Sequence, residues 1–354
     1  MSSDLANATI KLPDGPCTRV VWSPCSRFIA ISAGGVQILD AVTLKQLRSL
    51  ILPCPPQGGA FQLLSFSPES QMLTCYSRLV NLYAFITWDL QTGIQASKIP
   101  MGKSSTRELK SPCSITYSEC GMMLGVLFKN YNQHHQVAGA ICSYDILSST
   151  LTYCYPIEGS INSRIWTQGG CVQFAALETY SITIWGVGFT SKCPPTKVKS
   201  LSTPGSFDPW ECSLLPPTPL QLAFQLDNSL LVWDVHQSKL LLDHLELNMH
   251  SSMPFSYSGH FFAHMVYSGQ LYLWKKFSMG YTLYQKHVPS VQISQELGPP
   301  PNRQSNITFG GVYLTPVENN SYHYLIIGSQ QRNVRYGVGS FLDLCILNYQ
   351  RLSF

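Results

Sequence analysis

One short pattern recurs along the chain and restricts its fold more than any other feature of the sequence. An aromatic residue is followed by a serine, a turn-forming segment and a large apolar residue six positions after the aromatic one. Copies occur in "VWSPCSRFIA", "SFSPESQMLT", "TYSECGMMLG" and "PFSYSGHFFA". The aromatic and apolar residues of these copies are Trp22 and Phe28, Phe66 and Met72, Tyr117 and Met123, and Phe255 and Phe261. Such self-similarity indicates units that stack on one another to bury their faces.

Weaker copies complete the series. They are Trp166 with Val172 and Leu214 with Leu220, and a seventh copy is expected near Phe309. The interval between copies is about 40–55 residues, which is the period of four-stranded propeller blades.

A second marker follows each copy in phase. It is a run of alternating apolar and polar residues that ends in an aromatic residue and an aspartate, as in "FITWDLQTG", "ICSYDILSS" and "LLVWDV". Alternation with period two is typical of strands, and the Asp-containing segments after it are typical of turns. Each unit is therefore predicted to contain strand a, a serine turn, strand b, a loop, strand c ending near Trp-Asp, a turn and strand d.

The period and the Trp-Asp pairs resemble the WD-repeat β-propeller family over residues 18–290. "CTRVVWSPCSRFIAIS", "VQILDAVTLKQLRSL", "LSFSPES" and "WDLQTG" are similar to the WD-repeat regions of fungal, especially basidiomycete, NACHT-type STAND proteins. The resemblance implies that the propeller senses a ligand or partner, while a separate NACHT domain switches with nucleotide.

The sequence departs from the family at one motif. WD repeats often carry Gly-His before strand a, whereas Gly259-His260 lies in a predicted a–b turn. We therefore expect aromatic and aliphatic packing to hold the blades together.

The predicted fold class is all-β, a WD-repeat-like β-propeller of seven four-stranded blades, with six blades or an incomplete ring as alternatives. Residues 1–17 are expected to supply a closing strand, and residues 305–354 a divergent last blade or a tail. The other blades are predicted at residues 18–52, 60–100, 112–158, 162–203, 211–248 and 252–292.

Composition limits the partners and the compartment. A net charge of +4, with 12% charged residues, does not favour a nucleic-acid groove, and no apolar run approaches the length of a membrane span. The 12 cysteines are scattered without a C-x-x-C pair, so they are interpreted as reduced, buried small hydrophobes. With no apolar leader at the N-terminus, these features predict a cytoplasmic, monomeric domain.

Motifs for chemistry are weak. "GKSS" at Gly102 has Ser97 where a phosphate-binding loop requires glycine. His260 and His264 are four residues apart, but on a strand–turn–strand such residues do not converge on a metal. We predict no catalytic, cofactor-binding or metal-binding residue, and hence no enzyme.

In WD-repeat propellers the loops joining strand d to strand a and strand b to strand c share the usual partner-binding rim. The resemblance therefore implies such a rim here, with the a–b turns on the opposite face. The residues assigned to this rim are Arg19, Arg78, Lys129, Arg164, Tyr180 and Tyr267. Arginine and tyrosine are common energetic anchors of interfaces. The predicted function is a non-catalytic scaffold or sensor that binds a protein or peptide. The alternatives are a propeller hydrolase or lyase that uses the central channel, and a truncated, non-functional fragment.

Overall fold

The computed structural model describes much of the chain, in segments. These are residues 8–12, 17–25, 27–33, 35–41, 43, 45–50, 61–79, 82–101, 111–131, 137–157, 161–178, 181–190, 193–202, 221–226, 229–234, 237, 239–245, 255–258, 261–265, 271–277, 280–287, 307–314, 321–332 and 341–353. Their regular structure is entirely β-strand, arranged in seven antiparallel sheets. The chain divides into two compact units, residues 1–61 with 246–354, and residues 62–245.

The first unit contains three four-stranded sheets. One is formed by β2 (Cys17–Trp22), β3 (Phe28–Ala33), β4 (Val36–Asp40) and β5 (Gln46–Leu50) in that order. Another is formed by β21 (Phe255–Ser258), β22 (Phe261–Met265), β23 (Leu271–Phe277) and β24 (Gly280–His287). In the third, β25 (Ile307–Leu314), β26 (Ser321–Arg332) and β27 (Phe341–Ser353) are followed by β1 (Ala8–Leu12), which pairs with β27. β25 also contacts β2, β21 and β22, so the third sheet lies beside the other two.

The second unit contains four sheets in chain order. The first contains β6 (Phe61–Phe66), β7 (Met72–Leu79), β8 (Leu82–Asp89) and β9 (Gln95–Pro100), and the second contains β10 (Ser111–Tyr117), β11 (Met123–Tyr131), β12 (Val137–Asp145) and β13 (Thr150–Ile157). The third contains β14 (Ile161–Gln168), β15 (Cys171–Glu178), β16 (Ser181–Gly188) and β17 (Thr196–Ser202). The fourth has three described strands, β18 (Gln221–Leu226), β19 (Ser229–Asp234) and β20 (Lys239–Leu245). Leu214 and Leu220, predicted to begin a repeat copy, lie outside the described residues.

The serine of the repeat closes the turn between strands a and b. The Oγ atoms of Ser23, Ser67 and Ser118 accept hydrogen bonds from the backbone N–H five residues later, at 2.9, 3.0 and 3.0 Å. All three serines are buried, where an unpaired turn amide would be costly. The serine is therefore repeated because it satisfies a turn amide away from water.

The aspartate at the end of strand c closes the c–d turn in the same way. Oδ1 of Asp40 and of Asp89 accepts the backbone N–H three residues later, in both cases from a threonine at 2.7 Å. Asp145 accepts from Ser148 at 2.8 Å, and Asp234 from Gln237 at 2.9 Å. The predicted c–d turns are confirmed at these four positions, and aspartate is favoured there because its short side chain reaches the local backbone.

The hairpin of β21 and β22 departs from the expected register. In the copies at Trp22 and Tyr117, the aromatic residue pairs with the residue seven positions later, whereas Phe255 pairs with His264. Ser258 pairs directly with Phe261, which leaves only two residues between the paired ones, the shortest common hairpin connection.

Neighbouring sheets of the second unit pack on both faces of the β10–β13 sheet. On one face, Tyr117, Val126 and Phe128 pack with Phe85 of the β6–β9 sheet. On the other face, residues of the alternate register, including Leu127, contact the β14–β17 sheet. The period-two alternation thus separates two apolar clusters, one for each neighbour.

Gly125 of β11 is required by close approach to the β14–β17 sheet. A Cβ atom on this residue would lie 2.7 Å from Cγ2 of Val172, closer than carbon atoms pack. The glycine in "MMLGVLF" therefore lets the two sheets meet.

Hydroxyl groups also join these sheets. The Tyr117 hydroxyl is hydrogen-bonded to Thr74 Oγ1, which lies 2.7 Å from Thr87 Oγ1, so β10 is linked to β7 and β8. On the opposite side, Thr116 Oγ1 lies 3.0 Å from Thr167 Oγ1. The expectation that packing mainly holds the blades is therefore incomplete, since a buried hydrogen bond crosses one sheet interface and a part-buried one crosses the other.

Candidate functional site

Each four-stranded sheet offers two different edges. We call the edge where strand b leads into strand c the b–c edge; in the β6–β9 sheet it lies at Leu79 and Leu82. We call the opposite edge, with the serine and aspartate turns, the a–b edge; in the same sheet it lies at Phe66 and Met72. Because neighbouring sheets pack on both faces of the β10–β13 sheet, its two edges and the outer strand β13 are the surfaces that remain for a partner.

The predicted rim residues fall at different distances from the b–c edge. Arg78 of β7 pairs with Tyr83, and Lys129 of β11 pairs with Gly139, so both lie close to the b–c edge of their sheets. Arg19 is the third residue of β2 and pairs with Ser32. Arg164 is the fourth residue of β14, within an irregularity between Ile161 and Ile165, and is therefore farther from the edge.

Only the backbone is described for these four residues, and Tyr180 and Tyr267 lie outside the described residues. The structure places Arg78, Lys129 and Arg164 on three successive sheets of the second unit.

Tyr83 is a b–c edge residue that the sequence analysis missed. Its side chain is 37% exposed, and its ring stacks on buried Tyr76 with centroids 6.5 Å apart. The ring of Tyr76 lies beside that of Phe85, with centroids 5.3 Å apart, so a series of rings leads from the edge into the core. The available signal was the position of this tyrosine at the start of strand c in "NLYAFITWD". A half-exposed ring on a rigid support is well suited to a partner contact.

The a–b edge of the second unit carries exposed apolar side chains. Leu147 is 75% exposed and Ile94 is 67% exposed, and Met122 is exposed as well. The N–H of Ile146 donates to the carbonyl of Met122 at 3.1 Å, which joins the c–d turn to the a–b turn in this sheet. The sequence pattern does not predict apolar exposure on this edge.

Two carboxylates at the same edge accept hydrogen bonds from backbone N–H groups of turns. The Asp145 carboxylate accepts the Ser148 N–H, and this bond lowers the pKa of Asp145 below its ordinary value. Glu119 Oε1 accepts the N–H of Gly170 at 3.3 Å, a bond between neighbouring sheets. These carboxylates are engaged in turn and sheet contacts.

The buried hydroxyl cluster has no acid–base character near neutral pH. Burial raises the pKa of Tyr117 far above the ordinary value for tyrosine, and the hydrogen bond with Thr74 only partly opposes this shift. Tyr117 therefore stays protonated and serves as a hydrogen-bonding group between sheets.

The motifs weighed for chemistry fall largely outside the described part of the chain. "GKSS" and His260 are not described, and for His264 only the backbone is, paired with Tyr272. Within the described segments, His, Cys, Asp and Glu side chains form no group of three or more that could hold a metal ion. The same segments contain no helix with the length and hydropathy needed to cross a bilayer.

The fold was compared with known proteins. No protein-family model matches the sequence. A search of curated proteins found no match either. Among solved structures, U3-55K matches with a TM-score of 0.59 and 10% sequence identity, over 97% of this chain and 98% of that chain. The RRP9 WD40 repeats match with a TM-score of 0.60 and 10% identity, over 98% of this chain and 97% of that chain.

These likenesses extend over nearly the whole of both chains. Together with consecutive four-stranded antiparallel sheets, they confirm the prediction of an all-β, WD-repeat-like propeller. The chain therefore has the β-propeller fold of WD40 repeat proteins.

Proposed function

We propose that this chain is a non-catalytic propeller that binds a protein or peptide at the b–c edge of its blades. In this proposal it is a monomeric, cytoplasmic scaffold or sensor related to the WD-repeat regions of fungal NACHT-type STAND proteins. Its seven blades follow the intervals of the sequence repeat, with residues 1–17 closing the last one. The relation to STAND proteins rests on the amino-acid sequences of the repeats, such as "CTRVVWSPCSRFIAIS" and "WDLQTG".

The observation that carries the proposal is the combination of covered sheet faces and a distinctive b–c edge. Packing on both sides of the β10–β13 sheet leaves its edges and its outer strand β13 accessible to a partner. At the b–c edge, Tyr83 presents a supported ring, and Arg78 pairs with it across the strands. Lys129 occupies the comparable position in the next sheet. The positive charges favour a partner segment that carries carboxylates.

The proposal is tested by selecting binders from a random peptide library with the wild-type protein and measuring affinity by calorimetry. One variant reverses the charges at the predicted edge: Arg78→Glu, Lys129→Glu and Arg164→Glu. A matched control makes the same change at exposed lysines elsewhere in the blades: Lys45→Glu, Lys98→Glu and Lys197→Glu.

We expect the edge variant to weaken binding at least tenfold, which corresponds to about 1.4 kcal/mol, while the control stays within about twofold of wild type. Tyr83→Ala is expected to weaken binding by a similar factor. Equal affinity in both charge variants, or the absence of any selectable peptide, would contradict the proposal.

A further inference from the structure

Two cysteines face each other across neighbouring strands of the β10–β13 sheet. Cys142 of β12 and Cys154 of β13 are directly opposite in the antiparallel register, so their side chains lie on the same face of the sheet. Their Sγ atoms are 2.7 Å apart, although both are free thiols in this structure. Directly opposite strand positions bring Cβ atoms near the separation that a disulfide requires.

The two thiols differ in access. Cys154 is exposed and Cys142 is buried, so a small oxidant reaches the first sulfur before the second. The sequence interpretation of the cysteines as buried hydrophobes is therefore wrong for Cys154, and also for Cys120 and Cys193, which are exposed as well. It failed because exposure of a strand residue depends on which neighbouring sheet covers it.

The contact also makes the thiols unequal in acidity. The Cys142 thiol donates a hydrogen bond to Cys154 Sγ, which stabilises the Cys154 thiolate and lowers the pKa of Cys154. The same bond, together with burial, raises the pKa of Cys142. An accessible thiol of lowered pKa beside a second thiol of raised pKa is the arrangement found in redox-responsive cysteine pairs.

We propose that Cys154 and Cys142 are a reversible oxidation site, in which Cys154 reacts first with a hydroperoxide and Cys142 resolves the product to an intramolecular disulfide.

In the first step, the Cys154 thiolate attacks one oxygen of hydrogen peroxide. The S–O bond forms as the O–O bond breaks; the sulfur loses two electrons and hydroxide leaves, taking up a proton to become water. In the second step, the Cys142 sulfur attacks the Cys154 sulfenic acid, and the S–S bond forms as the S–O bond breaks. The departing hydroxide leaves with the Cys142 proton as a second water. Two thiols and one peroxide thus give one disulfide and two waters, and a dithiol reductant restores the starting state.

The disulfide would fix β13, the outermost strand of its sheet, to β12. The register irregularity between Ser143 and Tyr144, next to Cys142, provides a place where the strands adjust. Because the cross-link closes a loop in the unfolded chain, the oxidised protein should resist urea better than the reduced protein.

The chain provides a matched control in Cys120. This cysteine is also exposed, and its pKa is lowered chiefly by the Ser118 hydroxyl, 3.2 Å from its sulfur. It therefore shares the access and acidity of Cys154 but faces an oxygen where Cys154 faces a thiol. Cys75 is the inert reference, since burial raises its pKa.

The test treats the reduced full chain with stoichiometric hydrogen peroxide and maps its cysteines by mass spectrometry after alkylation without reduction. We expect a cross-linked peptide joining residues 142 and 154, two hydrogens lighter than the separate peptides and abolished by dithiothreitol. Cys120 is expected to give a dimedone adduct of its sulfenic acid instead. Cys120→Ser should leave the cross-link unchanged, and Cys154→Ser should abolish it, because one of the two bonding sulfurs is removed.

Cys142→Ala is expected to leave Cys154 as a dimedone-reactive sulfenic acid. If this variant does not fold, the wild-type peptide map decides the question. The proposal is overturned if peroxide sulfenylates Cys120 without producing the cross-link, or if Cys154 joins other cysteines as readily as Cys142.

Discussion

Replacing Gly125 with alanine tests the packing between the β10–β13 and β14–β17 sheets directly. The added Cβ would lie 2.7 Å from Val172 Cγ2, 3.3 Å from Thr116 Cγ2 and 3.4 Å from Phe189 Cε1. Val172 is fully buried and β-branched, so its methyl group has neither open space nor an easy alternative rotamer. The sheets must therefore separate by several tenths of an ångström or Val172 must adopt a strained conformation.

The expected loss follows from two opposing contributions. Overpacking a close-packed core costs about 1–3 kcal/mol. Alanine also restricts the unfolded chain more than glycine does, which returns about 0.4–1 kcal/mol. With about 2 kcal/mol and about 0.7 kcal/mol as the centres of these ranges, Gly125→Ala has a net destabilisation of about 1.3 kcal/mol. For a urea dependence of about 3 kcal/mol per molar, the unfolding midpoint falls by roughly 0.4 M.

Urea unfolding followed by tryptophan fluorescence measures this change, and Gly186→Ala is the control. The Cβ added at Gly186 lies 3.1 Å from Val198 Cγ2, but Val198 is 52% exposed and can move into solvent. We expect its midpoint to stay close to that of wild type. In the double variant Gly125→Ala/Val172→Ala, the new methyl occupies space that Val172 vacates. The double variant should therefore lose less stability than the sum of the losses of the two single variants. Equal midpoints for both glycine variants, or full additivity in the double variant, would refute the packing argument.

Three further predictions concern turns and buried polar contacts. Ser149 has a φ of 56° at the turn position where Gly93 has a φ of 75°. Ser149→Gly should therefore raise the free energy of unfolding by about 1 kcal/mol, and Gly93→Ser should lower it by a similar amount. Urea titrations in which Ser149→Gly lowers the free energy of unfolding, or Gly93→Ser raises it, would exclude left-handed strain. Tyr117→Phe keeps the ring but removes the hydroxyl contact with Thr74, and should cost about 1 kcal/mol; an unchanged unfolding midpoint would show that the contact is not stabilising. The pKa of Asp145 in the folded protein is below the ordinary value. The Asp145 carboxylate therefore stabilises the folded protein at pH values above the unfolded pKa, and this stabilisation disappears as the pH falls through the folded pKa. An NMR titration that gives a pKa at or above about 3.9 would contradict this.

The candidate site was predictable only in part. Arg78 and Lys129 were assigned to the b–c edge because the four-strand unit fixes which strand ends meet there, and their backbone positions lie near that edge. Arg164 was placed in the same group, but it lies inside β14, since the start of a strand is less sharply marked in sequence than a turn. Tyr83 was missed because its exposure depends on the ring of Tyr76 beneath it, which the pattern of strand b does not reveal.

The sequence by itself determined the repeat, the four-stranded unit and the turn chemistry. These are local properties: Ser67 and Asp89 each bond to backbone groups within five residues, so their spacing is visible in a linear sequence. Only the tertiary structure decided which residues meet across strands and sheets. The approach of Gly125 to Val172, the bond between Tyr117 and Thr74, and the opposition of Cys142 and Cys154 depend on strand register and sheet packing. A shift of one residue would send each of these side chains to the other face of its sheet, and no local pattern specifies that contact.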